Sequence, residues 1–182
     1  MSDVFTEQKR FAQGWTGGLP ETPCGSGSKL ENTKAQRQWI PRILSKYRIK
    51  SIVDIGAGDL NWLKHMPLDG IEYTPLDLFP RFADIKQFDL VREVPPQADL
   101  IMCLWVLNHM PFDDCQAAIA NLKASGNRWL LMTDRPKWHY EQPPEIRMEV
   151  TDELLLNPKT GDRIILVELN APEVEDADYP GA

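Results

Sequence analysis

Val53-Asp54-Ile55-Gly56-Ala57-Gly58-Asp59, preceded by Lys50-Ser51-Ile52, reads as a short apolar strand, a glycine turn and a helix start. Ile52, Val53 and Ile55 supply the β-branched run of a buried parallel strand. Gly56 and Gly58 permit a tight turn and let a ligand approach the backbone closely. Asp59 is placed to cap a helix opening at Leu60-Asn61-Trp62-Leu63. A unit of this kind sets a ligand at the carboxyl edge of a doubly wound sheet. An ordinary strand-to-helix turn would use the same residues, because Gly-x-Gly alone matches often.

Elements on either side extend the pattern. Upstream, Ser28-Lys29-Leu30-Glu31 fits a capping box, and Ala35, Trp39, Ile40, Ile43, Leu44 and Tyr47 follow at helical spacing. Pro41 lies inside that run and is expected to kink or divide it. Downstream, a short helix over about 59–65 is followed by a second strand, Ile71 to Asp77. Its Pro75 favours a sheet margin. Ile85 to Asp89 is a candidate third strand, and Phe79 to Asp84 leaves room for a turn or two of helix. Pro95 and Pro96 make the next crossover a loop. Asp99 to Val106 is a fourth strand. Phe112, Cys115, Ile119 and Leu122 mark one face of a helix, with Asp113 and Asp114 at its positive end. Arg128 to Thr133 is a fifth strand, and residues 134–146 are Pro-rich and loop-like. Strands near 147–156 and 163–169 flank a hairpin turn from Asn157 to Asp162.

Alternating strands and helices predict an α/β fold with a mostly parallel sheet, closed by an antiparallel hairpin. The expected organisation is an N-terminal arm or lid over 1–28, a single domain over 29–170 and an acidic disordered tail over 171–182. The length of 182 residues suits one domain with a sizeable core. A net charge of −7 disfavours attraction to nucleic-acid phosphates. No apolar run is long enough to span a bilayer, and the N-terminus lacks a secretory pattern. Cys24, Cys103 and Cys115 have no paired spacing, which points to reduced thiols in a cytoplasm and to no zinc cluster. Gly56 to Asn61 lacks the third glycine of a nicotinamide-dinucleotide fingerprint, which counts against a dehydrogenase.

Taken in order, four pieces resemble a class I S-adenosylmethionine-dependent methyltransferase. They are Val53 to Asp59, Asp77 after the second strand, Phe88-Asp89-Leu90 after the third, and Asp99 to Met110 around the fourth. Cys24-Gly25-Ser26-Gly27-Ser28 and Asp59-Leu60-Asn61-Trp62 also resemble small bacterial and phage members. The resemblance covers about residues 24–134 and implies a three-layer Rossmann-like fold with reduced crossover helices. It further implies S-adenosylmethionine as cofactor. Asp54, Gly56 and Gly58 would line its methionine half, and Asp59 would meet its ammonium. Gly27 and Ser28 would present backbone N–H groups to its carboxylate. Asp77 would accept the ribose hydroxyls. Asp89 would accept from the adenine amine, with Leu78 and Leu90 on the ring faces. Leu104 and Trp105 would sit beside the sulfonium. By themselves, Asp77 and Asp89 also suit solvated strand ends.

Methyl transfer requires in-line positioning and exclusion of water, and an oxygen nucleophile adds the need for a base. His109 is the first candidate, followed by Asp134 and by His139 in the next loop. A cap or a packed polar residue would account for each equally. The fourth motif is not Asn-Pro-Pro-Tyr or Asp-Pro-Pro-Tyr, and Cys103 is not preceded by Pro, so DNA is disfavoured as substrate. The expected activity is methyl transfer to a small-molecule or sugar-like acceptor. The alternative is a cofactor-binding protein without transferase activity, such as a regulatory subunit, suggested by the reduced crossovers and the lack of a substrate domain. The oligomeric state cannot be read from the sequence.

Overall fold

A computed structural model describes residues 21–135 and 148–169 of the chain. Most of the arm, the tail over 171–182, His139 and nearly all of the 134–146 loop therefore lie outside the described residues.

The strands are β1 (Ser51–Ile55), β2 (Glu72–Asp77), β3 (Lys86–Gln87), β4 (Leu100–Cys103), β5 (Trp129–Asp134), β6 (Val150–Asn157) and β7 (Asp162–Glu168). They form one sheet in the order β3-β2-β1-β4-β5-β7-β6. β1 to β5 pair in parallel, and β7 runs antiparallel between β5 and β6. The strand order reverses between β1 and β4, which is where open α/β sheets form a crevice at their carboxyl ends.

Strand alternation divides the core into two layers. Ile101 and Cys103 of β4 pack with Cys115, Ala118, Ile119 and Leu122 of helix α2 (Phe112–Ala124). Leu100 and Met102 face the other way, with Ile40, Ile43 and Leu44 of helix α1 (Lys34–Lys46). Successive side chains on a strand point to opposite faces, so β4, buried along its whole length, serves both layers. This is the mostly parallel three-layer architecture expected from the sequence, with the closing hairpin in place. Among the described residues, no helix is long and apolar enough to cross a membrane.

Several local expectations are corrected. The capping box does not form: Ser26–Ser28 is a 3-10 turn, and α1 starts only at Lys34. The Leu30 N–H instead donates to Glu21 Oε1 at 2.7 Å, and the Thr33 hydroxyl bonds the Lys29 carbonyl at 2.9 Å. Pro41 sits within α1 without dividing it. No α-helix follows β1. The segment turns through Leu60, at φ 57°, and holds only a 3-10 turn at Leu63–His65. Residues 79–84 form bends and turns, not helix. The third strand shrinks to Lys86–Gln87. The fourth ends at Cys103, because Trp105 takes a left-handed conformation at φ 60°. Pro75 lies inside β2, opposite Asp54 of β1 and one residue before the register with β3 begins at Leu76.

Candidate active site

The glycine turn after β1 is fixed from two sides. The N–H groups of Gly56 and Ala57 donate to the Leu76 carbonyl of β2 at 2.9 and 3.1 Å. A side chain on Gly56, at φ 81°, would begin 2.3 Å from Val106 Cγ2. One on Gly58, at φ 64°, would begin 3.0 Å from Cys24 Sγ. Both positions thus need glycine for conformation and for space. The space at Gly56 is taken by Val106, so the turn is packed against the segment after β4.

Around this turn lies a cleft of about 420 Å³ at the carboxyl ends of β1, β2 and β4. Of the residues singled out from the sequence, Ser28, Asp54, Gly56, Gly58, Asp77, Leu78, Asp89, Leu90, Leu104, Trp105 and His109 line it. Gly27, Asp59 and Asp134 are not on its walls. The Asp59 carboxylate is buried and accepts the Asn61 N–H at 3.2 Å. Asp134 accepts from Arg163 Nε at 2.7 Å, a partner far away in sequence. Wall residues the sequence did not single out include Trp62, Phe79, Arg81, Arg92 and Val106. Phe79 and Arg81 lie just past Asp77, in the segment read as helical.

Each cleft carboxylate has its own setting. Asp77 accepts the Gly58 N–H on one oxygen and the Phe79 N–H on the other, both at 2.8 Å. Each oxygen keeps a further lone pair, so the group is both anchored and able to accept again. Asp89 accepts the Val91 N–H at 3.0 Å and pairs with Arg92. Asp54 is buried at the end of β1 and accepts from the Tyr73 hydroxyl at 2.5 Å. Burial pushes its pKa up to about 7; the Tyr73 bond opposes the shift and the nearby Asp77 charge adds to it. The Tyr73 hydroxyl is held protonated, first by burial and then by Asp54.

The walls are tied to one another. Asn61 Nδ2 donates to the Ser28 carbonyl at 3.0 Å and to Glu21 Oε1 at 2.9 Å, joining the described end of the arm to the β1 loop. The Trp105 N–H donates to Thr133 Oγ1 of β5 at 3.0 Å. Burial and the Asp59 charge push the Cys24 thiol up to about 11, and burial raises Cys103 further, so both are held protonated.

No protein-family model matches the chain, and no curated protein sequence does. Solved structures do. The magnesium protoporphyrin IX methyltransferase ChlM from Synechocystis PCC 6803, with S-adenosylmethionine bound, superposes with a TM-score of 0.61 at 15% identity over 92% of this chain and 97% of that one. The N-methyltransferase NodS from Bradyrhizobium japonicum WM9, in complex with S-adenosylhomocysteine, gives 0.63 at 12% identity over 92% and 98%. The S-adenosylmethionine-dependent methyltransferase from Clostridium acetobutylicum ATCC 824 gives 0.58 at 10% identity over 76% and 92%.

Proposed function

We propose that this chain, which has the fold of the class I S-adenosylmethionine-dependent methyltransferases, binds S-adenosylmethionine in the cleft. Its methyl group would go to a small-molecule or sugar-like acceptor. One observation carries the reading: Asp77 stands at the carboxyl end of β2 with both oxygens anchored by backbone N–H groups, one of them from the glycine turn. A carboxylate so held is preorganised to accept two neighbouring hydroxyls, as a ribose presents them. The turn beside it admits no side chain at Gly56 or Gly58. The residues present fit the cofactor.

In this reading Asp77 holds the ribose. Asp89, Leu78 and Leu90 take the adenine. Asp54, on the cleft wall, accepts from the ammonium. Leu104 flanks the sulfonium. Gly27 and Ser28 belong to the arm, whose described end already forms one wall through Pro23, Cys24 and Ser28. The arm is assigned as the cover of the cleft. The bound cofactor supplies an activated methyl group and a good leaving group, which leaves the protein to position the acceptor and exclude water. His109 lines the cleft and is assigned as the base that takes the acceptor's proton. The compartment assigned is a reducing cytoplasm, in keeping with Cys24, Cys103 and Cys115 standing outside any disulfide.

The test is turnover of methyl-labelled cofactor against a fractionated metabolite pool. Label should pass to a small polar fraction. His109→Ala should lower the rate by about two to four orders of magnitude with S-adenosylhomocysteine affinity intact. Cofactor binding without turnover on any fraction would reassign the chain as a cofactor-binding protein. Lost affinity in the His109 variant would move that residue into the binding shell.

A further inference from the structure

The formal net charge is −7, yet one element runs the other way. From Lys29 to Lys50 the sequence holds seven Lys and Arg and a single acid, Glu31. Within α1, Lys34, Gln38, Arg42 and Lys46 recur at helical spacing and are all exposed, on the side opposite the buried Ile40, Ile43 and Leu44. Arg48, also exposed, follows the helix end. Lys46 meets Asp152 of β6 at 2.9 Å. Among the described residues, Lys34, Arg42 and Arg48 form no salt bridge. Like charges one helical turn apart repel, and Arg42 and Lys46 are such a pair. The outer side of α1 is thus a cationic face that the described fold leaves mostly unneutralised.

The sequence after β7 carries the opposite charge and starts beside this face. Glu173, Glu175, Asp176 and Asp178 stand close together, and the stretch from Ile164 to Ala182 holds no Lys or Arg. Leu169, the last described residue, donates its N–H to the Arg128 carbonyl at 2.8 Å, next to the start of β5. The Trp129 ring, at that start, stands against Tyr47 with centroids 4.6 Å apart. Tyr47 directly follows Lys46 at the end of α1. The chain is therefore delivered to the C-terminal end of the cationic face. At about 3.3–3.6 Å per extended residue, Glu173 can reach about 14 Å from Leu169 and Asp178 about 30 Å. Arg42 and Lys46 are about 6 Å apart along the helix axis, so the acids span this end of the face with chain to spare.

We propose that α1 is a docking surface for an acidic segment, and that its occupant is Glu173 to Asp178 of the same chain, the carboxylates set against Arg42, Lys46 and Arg48. Single exposed ion pairs are weak, but the covalent link makes the encounter intramolecular and so raises the effective concentration. A long outside polyanion is repelled at a distance by the net negative charge, a cost that a segment of the chain itself does not meet. None of the three cations lines the cleft, so the proposal stands apart from the cofactor reading.

The experiment is carbodiimide cross-linking of the full chain, read by peptide mass spectrometry. An equal mixture of isotope-labelled and unlabelled protein separates links within one chain from links between copies. At about 20 mM salt, links from Glu173, Glu175, Asp176 or Asp178 to Lys46 should form within one chain, and at about 0.5 M salt, where the Debye length is about 4 Å, they should drop about tenfold. Arg42→Gln combined with Arg48→Gln removes two exposed cations and should lower the same links about tenfold at low salt, with S-adenosylhomocysteine affinity unchanged. The link between Lys46 and Asp152 normalises the yield in each sample. Links that ignore both salt and the two substitutions would reflect tethering alone and overturn the proposal. Links that run between copies would overturn it by assigning the face to a second copy. Absence of any link to the acidic segment would also overturn it, and retention of that chain on polyuridylate would then assign the face to an outside polyanion.

Discussion

The two halves of the sheet, divided at β1, are built differently. From β4 to β5 the chain crosses through α2, whose Cys115, Ala118, Ile119 and Leu122 are at most 1% exposed. On the other side, the β1-to-β2 link holds only the 3-10 turn Leu63–His65, and the links from β2 to β3 and from β3 to β4 hold no helix. β4 is buried throughout, whereas β2 is mostly half-exposed. Leu78 and Phe82, just past β2, are 37% and 50% exposed. One half supplies stability through packed apolar layers. The other leaves apolar surface and anchored carboxylates around an open cleft, the arrangement expected where a ligand completes the packing.

This contrast breaks first in the packed half. Ile119→Ala should destabilise the fold by about 2–5 kcal/mol, the range for truncation of a buried aliphatic side chain. Urea unfolding measures it, and S-adenosylhomocysteine affinity per folded molecule should be unchanged. A loss below about 1 kcal/mol would mean that α2 is not the clamp described.

The open half carries the pH response. Asp54 keeps its proton up to about pH 7 in the folded chain, whereas the unfolded chain releases it near the ordinary carboxylate value. Between those values the native state binds more protons, so this group's contribution to stability falls as pH rises from about 4 to 7 and recovers on acidification. At about 1.4 kcal/mol for each of about three pH units, the effect should be on the order of 4 kcal/mol. Tyr73 and Asp77 are the polar groups that act on it. In urea unfolding, Asp54→Asn should show a flatter stability profile across that range than the wild-type chain. Parallel profiles would contradict the assignment.

Legibility in the sequence followed the same division. The β-branched and apolar runs of β1, β4 and β5 announce themselves, because burial on both faces leaves no polar interruption. Asp54, Asp77, Asp89 and His109 could be placed because they stand at or near strand ends, where the topology gathers side chains at one edge. What failed was set by remote partners or backbone strain. The Ser28 box was pre-empted by Glu21. The expected helix after Asp59 was replaced by a turn with Leu60 left-handed. The Arg163 partner of Asp134, across the β5–β7 ladder, was equally out of reach. None of these long-range pairings has a local signature.

The anchored Asp77 makes this cleft a site for an adenosyl cofactor in the reading proposed above. Calorimetry of S-adenosylhomocysteine against the wild-type chain and Asp77→Ala, with NAD as the control ligand, measures this. The wild-type chain should bind S-adenosylhomocysteine and not NAD, and the variant, folded by circular dichroism, should bind it more weakly by about 1.5–3 kcal/mol, the range for hydrogen bonds to a charged group. Equal affinity in both chains, or a preference for NAD, would rule out Asp77 as the residue that makes the cleft a cofactor site.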